Sequence, residues 1–265
     1  TTGTTITLGD RLEAATHIRP AGQDFRAGDS LSAPRRLTPR DLALAAAMNA
    51  PVVTVARRPV VALIATGDEL VMPGETPSPD QIIASNSFAL AAMAEAAGAE
   101  VRLLPIARDT EASLAFTLSL ASDADLIVTI GGASVGDHDL VARVAQGMGL
   151  DRAFWKIAMR PGKPLMAGRM GKAAMLGLPG NPVSAIVCGH LFMQPLIRAM
   201  QGDPAPVPAA LTARLGADVD ANGPRAHYMR ARLSEDGGEV VVTPFDRQDS
   251  ALLSILSDAG ALLVR

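Results

Sequence analysis

Residues 131–139 read Gly-Gly-Ala-Ser-Val-Gly-Asp-His-Asp and come directly after an apolar segment, residues 124–130. Glycines permit steep turns and bare backbone amides, and successive amides can form a nest for an anion. The acids behind them, Asp137 and Asp139, could hold a divalent cation beside that anion. The pattern suggests phosphate plus metal. Three more loops carry compatible groups. Thr66-Gly67-Asp68-Glu69-Leu70 comes after an apolar run at 60–65. Arg160-Pro161-Gly162-Lys163-Pro164, with Lys156 just before it, places three cations within eight residues. Its prolines stiffen it, and such a loop suits a phosphorylated substrate. Pro179-Gly180-Asn181-Pro182-Val183-Ser184 leads into a long helix. Pro182 is suited to a first helical position, and free amides at that start attract anions. Asp109, in Ala107-Arg108-Asp109-Thr110, reads in isolation as a helix cap.

The elements that must position these loops alternate between strand and helix from Pro59 to Met200. Strands are expected at 60–65, 101–106, 126–130, 154–158, 165–168 and 173–178. Helices are expected at 85–98, 110–120, 138–146 and 183–200, the last bent near Pro195. This is a βαβ series, predicting a mostly parallel α/β sandwich. Ligands bind beyond the carboxyl ends of such strands, so the glycine-bearing loops should face one crevice. Upstream, residues 4–8 alternate like a strand, and Thr38-Pro39-Arg40-Asp41 starts a helix. Downstream, Asp203-Pro204-Ala205-Pro206-Val207-Pro208 reads as a linker. Asp236-Gly237-Gly238 marks a hairpin between strands at 225–233 and 239–243. The expected divisions are 1–24 (remnant of a β-rich domain), 25–57 (helical and linking), 58–203 (α/β) and 204–265 (β-rich, barrel-like).

Composition narrows the function. Hydrophobic residues make up 48% of the 265 and mean hydropathy is +0.23, enough for a sizeable core. A net charge of −3 argues against nucleic acid or an anionic membrane as the main partner. Aromatics at 3% are too few for base stacking. The one cysteine, Cys188, excludes an internal disulfide and reads as a buried, inert thiol in a reducing cytoplasm. No stretch reads as the ~18 apolar residues that would span a bilayer. The start of the chain lacks a charged leader with an apolar block and an initiator Met, which suggests that it begins inside a longer protein. His17, His138, His190 and His227 share no metal-ligand spacing. Neither a Gly-x-Ser-x-Gly elbow, a Walker lysine loop nor a Gly-x-Gly-x-x-Gly loop is present.

Taken together, the Thr66–Leu70 motif, the 131–139 loop, Pro161-Gly162-Lys163-Pro164 and residues 177–184 occur in one order and spacing that resembles molybdopterin molybdenumtransferase. Gephyrin's C-terminal domain is a relative of that family. The resemblance runs from about Ile18 to the C-terminus. It implies a molybdopterin-binding α/β domain in a four-domain, elongated homodimer. It further implies that adenylylated molybdopterin and molybdate enter, and that molybdenum cofactor and AMP leave, with Mg2+ required. By position, Glu69, Asp109, Asp139 and Lys156 correspond to the catalytic residues. Glu69 and Asp139 would handle metal or molybdate, and Lys156 would neutralise the anionic substrate. Gly131, Gly132, Ser134 and Gly136 would cradle phosphate. Thr66, Gly67, Asp68, Arg160, Pro161, Gly162, Lys163, Pro179, Gly180, Asn181 and Ser184 would line the substrate site. Residues 250–254 match a serine-bearing segment near the cleft.

Two departures stand out. Arg160 occupies a position where the family often has lysine, replacing a point charge by a planar fork. Half of the helical domain and most of the β-rich second domain, whose partner-subunit copy completes the family's cleft, lie outside this sequence. The resemblance also implies contact with the adenylyltransferase and with molybdoenzyme acceptors. Two other readings fit the same loops: a molybdopterin adenylyltransferase, and a non-enzymatic gephyrin-like scaffold.

Overall fold

The computed structural model describes residues 3–5, 19–132 and 139–265. The expected strand at 4–8 falls largely outside them. The chain divides into two compact units, Thr1–Val55 and Ala56–Arg265. In the first, helix α1 (Pro39–Ala47) starts where the sequence places it. The Thr38 hydroxyl accepts from the Asp41 amide, and the Asp41 carboxylate accepts from the Thr38 amide at 2.7 Å. Two end amides are thereby satisfied reciprocally.

The second unit opens with β1 (Val60–Ala65), then the short pair β2 (Leu70–Val71) and β3 (Ile82–Ile83). Next come α2 (Asn86–Ala96), β4 (Glu100–Leu103), α3 (Glu111–Ser119), β5 (Leu126–Ile130) and α4 (Leu140–Gly147). The strands β6 (Leu150–Trp155), β7 (Met159–Arg160), β8 (Met166–Met170) and β9 (Ala173–Leu178) come after these, then α5 (Pro182–Cys188) and α6 (Gln194–Met200). The principal sheet runs β4-β1-β5-β9-β8-β6. Its first three pairings are parallel, whereas β9–β8 and β8–β6 are antiparallel.

Helices cover both faces. Val61, Leu63, Val128 and Leu178 join a core with α2, α5 and α6 residues. Ala62, Ile64, Ile127 and Met175 join another with α3 and α4 residues. A strand buried on both faces cannot alternate polar with apolar, hence the unbroken run in β1.

Three local readings change. The strand expected at 154–158 is instead Leu150–Trp155. It is a mostly exposed edge strand, so its polar residues hide the signal. The strand expected to reach 106 stops at Leu103, just short of Pro105, which cannot donate to a ladder. The bend near Pro195 takes the form of a π turn, Gly189–Met193, between α5 and α6. A wider turn accommodates the missing proline N–H. Pro182–Met200 is, contrary to the sequence reading, a helix long and apolar enough to cross a membrane by length and composition. Half of it is buried in this unit, and Val183, Val187, Met193 and Ile197 are core residues.

The remaining strands are β10 (Arg214–Leu215), β11 (Ala226–Asp236), β12 (Glu239–Pro244) and β13 (Ala261–Val264), with α7 (Leu253–Ser257) before the last. β11 and β12 make the expected hairpin. Gly237 and Gly238 both take positive φ, +61° and +84°, as its two-residue turn requires. β7 pairs with β11, which places the loop before Pro161 against the C-terminal sheet.

Leu63 is 1% exposed at the centre of β1. Leu63→Ala should lower unfolding free energy by about 2–5 kcal/mol, read as a drop in the urea midpoint with the slope unchanged.

Candidate functional site

Because β1, β5 and β9 are parallel and adjacent, their carboxyl ends meet at one rim. The Thr66 amide donates to Ile130 O and the Gly131 amide to Leu178 O, each at 3.0 Å. Gly131 has φ +92°, and a Cβ there would lie 2.8 Å from Thr66 O. Gly180 packs on the other side: a Cβ on it would sit 3.4 Å from Gly131 Cα, an ordinary contact. Gly132, at φ +64°, would drive a Cβ to 2.5 Å from Val141. Gly131 and Gly132 are therefore required for this close approach. The Gly131 amide is already bonded to the sheet, which corrects its expected role as a phosphate donor. Ser134 and Gly136 lie outside the described residues, as do Asp137 and His138.

The acidic end of the rim is built at β1 and β4. The Asp109 amide donates to Asp68 Oδ1 at 3.1 Å. Thr110 caps α3, so the carboxylate of Asp109 is not needed there. A Cβ on Gly67 would collide with the Glu69 carboxylate, which folds back over that glycine. Arg108 was passed over in the sequence. Its guanidinium donates to the carbonyls of Asp68 and Leu70 at 3.1 and 3.2 Å and so holds the turn that carries Glu69.

Asp139 caps α4, accepting from the Ala142 amide at 2.8 Å. It is only 8% exposed, and its Oδ2 has no partner among the described residues. Burial pushes its carboxyl above the ordinary range, against the Ala142 bond and the nearby Arg152 charge.

At the Pro179–Ser184 turn, the Asn86 side chain donates to Gly180 O at 2.7 Å. The Asn181 side chain donates to Ser250 Oγ at 2.8 Å, and the Val183 amide donates to Ser250 O at 3.0 Å. One amide at the start of α5 is thus taken by the C-terminal segment, which corrects the expectation of a bare helix start.

The basic end is a cavity of about 330 Å³. Arg160, Lys163, Ser184 and the predicted Pro161 and Gly162 line it, together with Arg225, Gln248, Asp249 and Ser250. Gly162 has φ +106°, and a Cβ there would meet Cys188 Sγ at 2.6 Å. Burial pushes the Cys188 thiol up to about 12, in keeping with an inert packing role.

Arg230, unmarked in the sequence reading, stands directly behind this wall. It is fully buried, yet only Nη2 finds a partner, the Asp249 carbonyl at 2.9 Å. Its Nε and Nη1 have none among the described residues. Burial lowers its pKa, Asp249 opposes that, and Arg160 adds to it. His227 is pushed below its usual range by burial and then by Arg160, Arg230 and Arg225. An arginine amid Tyr228, Met229 and Ala231 of a strand was the available signal.

The rim thus collects Asp109, Thr66–Glu69, Gly131–Gly132, Asp139 and Pro179–Ser184 in strand order, with Lys156 and Arg160 beyond β6. β6 runs in the same direction as β9, so its carboxyl end shares this edge. Among the described residues, no group of three His, Cys, Asp or Glu side chains gathers to hold a metal.

Comparison with known proteins gives this geometry its context. A family model described as "Probable molybdopterin binding domain" matches residues 62–199, and one described as "MoeA C-terminal region (domain IV)" matches residues 212–265. The chain belongs to the molybdopterin molybdenumtransferase family. Molybdopterin molybdenumtransferase 2 of Mycobacterium tuberculosis is 37% identical over 89% of this chain and 60% of its own length. Molybdopterin molybdenumtransferase of Haemophilus influenzae is 39% identical over 75% of this chain and 49% of its own. The crystal structure of the molybdopterin biosynthesis MoeA protein of Pyrococcus horikosii superposes with a TM-score of 0.74 at 30% identity, covering 87% of this chain and 56% of that one. The chain therefore spans about half to three fifths of the length of these family members.

Asp139 supplies a pH test. A folded-state pKa above the unfolded value means the folded state binds its proton more tightly. The ionised carboxylate is then a burden, absent below the unfolded value of about 3.9 and growing as pH rises through the folded one. Asp139→Asn keeps an N-cap side chain. It should melt above wild type at about pH 7, with the gap closing toward about pH 4.

Proposed function

We propose that this chain carries the molybdenum-insertion site of its family, taking adenylylated molybdopterin and molybdate to molybdenum cofactor and AMP. The observation that supports this most is Arg230. A guanidinium withdrawn from water with two unused donors is costly by itself. A tetrahedral oxyanion beside Arg160, Lys163 and Ser250, which line the cavity, would lie in the field of that buried positive charge. Molybdate, as substrate, fits such a seat. From β4 to β6 the rim crosses five strand spacings, roughly 24 Å at ~4.8 Å each. That length suits an extended pterin nucleotide laid along it.

Within this reading Lys156, Arg160 and Lys163 neutralise the substrate's phosphate and oxyanion charge. Thr66, Gly67, Asp68, Gly132, Pro179, Gly180 and Asn181 shape the floor on which the pterin and phosphates lie. Asp109 orders the Asp68 turn. Magnesium prefers hard oxygen donors and usually takes one or two carboxylates plus substrate phosphates. Asp139 Oδ2, which has no partner among the described residues, and the Glu69 carboxylate fit that donor set, and they would hold it. Bound there, the ion would supply charge neutralisation at the phosphoanhydride that joins the pterin phosphate to AMP. The C-terminal module favours insertion over adenylylation, because Arg230 and Ser250 belong to it. We place the working protein in the cytoplasm as a homodimer that receives substrate from an adenylyltransferase and delivers cofactor to molybdoenzymes.

The test is AMP release from adenylylated molybdopterin with magnesium, with and without molybdate. Release should depend on molybdate. Arg230→Met should reduce the molybdate-dependent rate by about tenfold, since the positive charge behind the oxyanion seat is removed. Its melting temperature should stay close to wild type, because the substitution also relieves a buried charge. Glu69→Ala should abolish insertion with the fold intact. Formation of adenylylated molybdopterin from ATP and free molybdopterin would support the adenylyltransferase reading instead.

A further inference from the structure

Trp155 is the chain's one tryptophan and precedes Lys156 at the end of β6. In an unbroken strand, residues three apart point to opposite faces. β6 is broken: its pairing with β8 steps from Arg152↔Gly168 to Phe154↔Ala167, leaving Ala153 as an extra residue. Such a bulge shifts the alternation and re-aims the side chains beyond it. Arg152 and Trp155 consequently come together, with the guanidinium carbon 5.5 Å from the indole centroid. Gly168 is built for this kink. A Cβ on it would lie 3.0 Å from Arg152 Cα, 2.9 Å from Leu150 Cδ1, and closer still to the Asp151 carbonyl. Immediately after the bulge, Lys156 takes φ +66°, a conformation rare for a residue with a side chain. Its amide is held by Leu165 O at 2.9 Å. The chain turns back there, and the Lys156 ammonium lies 3.7 Å from the Trp155 ring centroid.

A lysine ammonium on its four-carbon stem has many rotamers to choose from. Contact with an indole face selects among them through attraction to the ring quadrupole. We infer that Trp155 is a positioning residue, which holds the Lys156 ammonium at the rim, and that the Ala153 bulge with Gly168 opposite it exists to set that contact. This rests on the reading in which Lys156 neutralises the anionic pterin substrate.

Two measurements on the full chain separate the inference from that reading. Without ligand, the emission of Trp155 should change in intensity or wavelength in Lys156→Met but not in Lys172→Met. An unchanged Lys156→Met spectrum would overturn the contact whatever the protein's activity. With molybdopterin as probe, Trp155→Leu and Lys156→Met should each weaken binding by about tenfold. The double variant should lose no more than either alone, the mark of coupled residues. Trp155→Phe, which keeps an aromatic face, should stay within about threefold of wild type. Additive losses, or equal losses in the Phe and Leu variants, would overturn the positioning role. Should wild type bind no molybdopterin at all, the substrate reading fails while the emission comparison still decides the contact.

Discussion

The site depends on three parallel strand ends being allowed to touch. Gly131 sits so tightly against Thr66 that a methyl group at that position would collide with the Thr66 carbonyl, while Gly180 packs in ordinary contact on its other side. Parallel neighbours deliver their carboxyl ends to the same edge, and the bonds from Thr66 to Ile130 and from Gly131 to Leu178 extend the ladder one step past the strands. The rim is therefore a continuation of the sheet's own hydrogen bonding. That makes it rigid, and it also removes amides from use. The Gly131 N–H that looks free in the sequence is already committed to the structure. What these glycines contribute is clearance, so that a ligand can approach backbone on a floor without side chains.

A second feature is the way the C-terminal module is joined to this floor. β11 pairs with β7, the Ser250 carbonyl caps α5, and Ser250 Oγ receives the Asn181 amide. These contacts fix the 248–250 segment against the Pro161–Lys163 loop, with Arg230 behind it. Burying a guanidinium whose Nε and Nη1 have no partner among the described residues works against stability. The hydrogen bonds around it offset part of that cost. The Gln248 side chain, which both donates to Arg230 O and accepts from its amide, is one such support.

The alternation of strands and helices was legible because β1, β5 and β9 are short apolar runs closed by glycine or proline. The four rim motifs were legible because close backbone approach demands glycine, which leaves a mark in the sequence. The edge strand β6 was misplaced, since a mostly exposed strand carries no apolar run. Arg230 left only a faint mark, an arginine among apolar strand residues, for a different reason. Its importance lies in what its side chain lacks, and the absence of partners emerges only when tertiary contacts are drawn. The roles of Arg108 and of Asn86, which the sequence marks only as a helix start, escaped notice likewise: each acts by holding a carbonyl in another segment, at sequence separations of about 40 and 94 residues. Spacing along the chain gives no hint of such pairings.

Carboxylates and cations gather toward opposite ends of the rim, with Arg108 among the former and Asp249 among the latter. Asp68, Glu69 and Asp109 stand at the β4–β1 end, and Arg160, Lys163, Arg225 and Arg230 stand toward β6 and β11. Their separation, on the order of 20 Å from strand spacing, exceeds the screening length of about 8 Å at physiological salt. Opposite charges that far apart across a wet cleft attract weakly, and none of the ion pairs among the described residues links the two ends. The two clusters therefore keep their charge available instead of cancelling it. A substrate with phosphate charge that can be shared with a cation at one end, and an oxyanion at the other, would connect them. On this view the rim is complementary to a molecule longer than either cluster. Truncated ligands that reach only one end forfeit the interactions of the other, which is how binding energy away from the reacting atoms is put to use in orienting them.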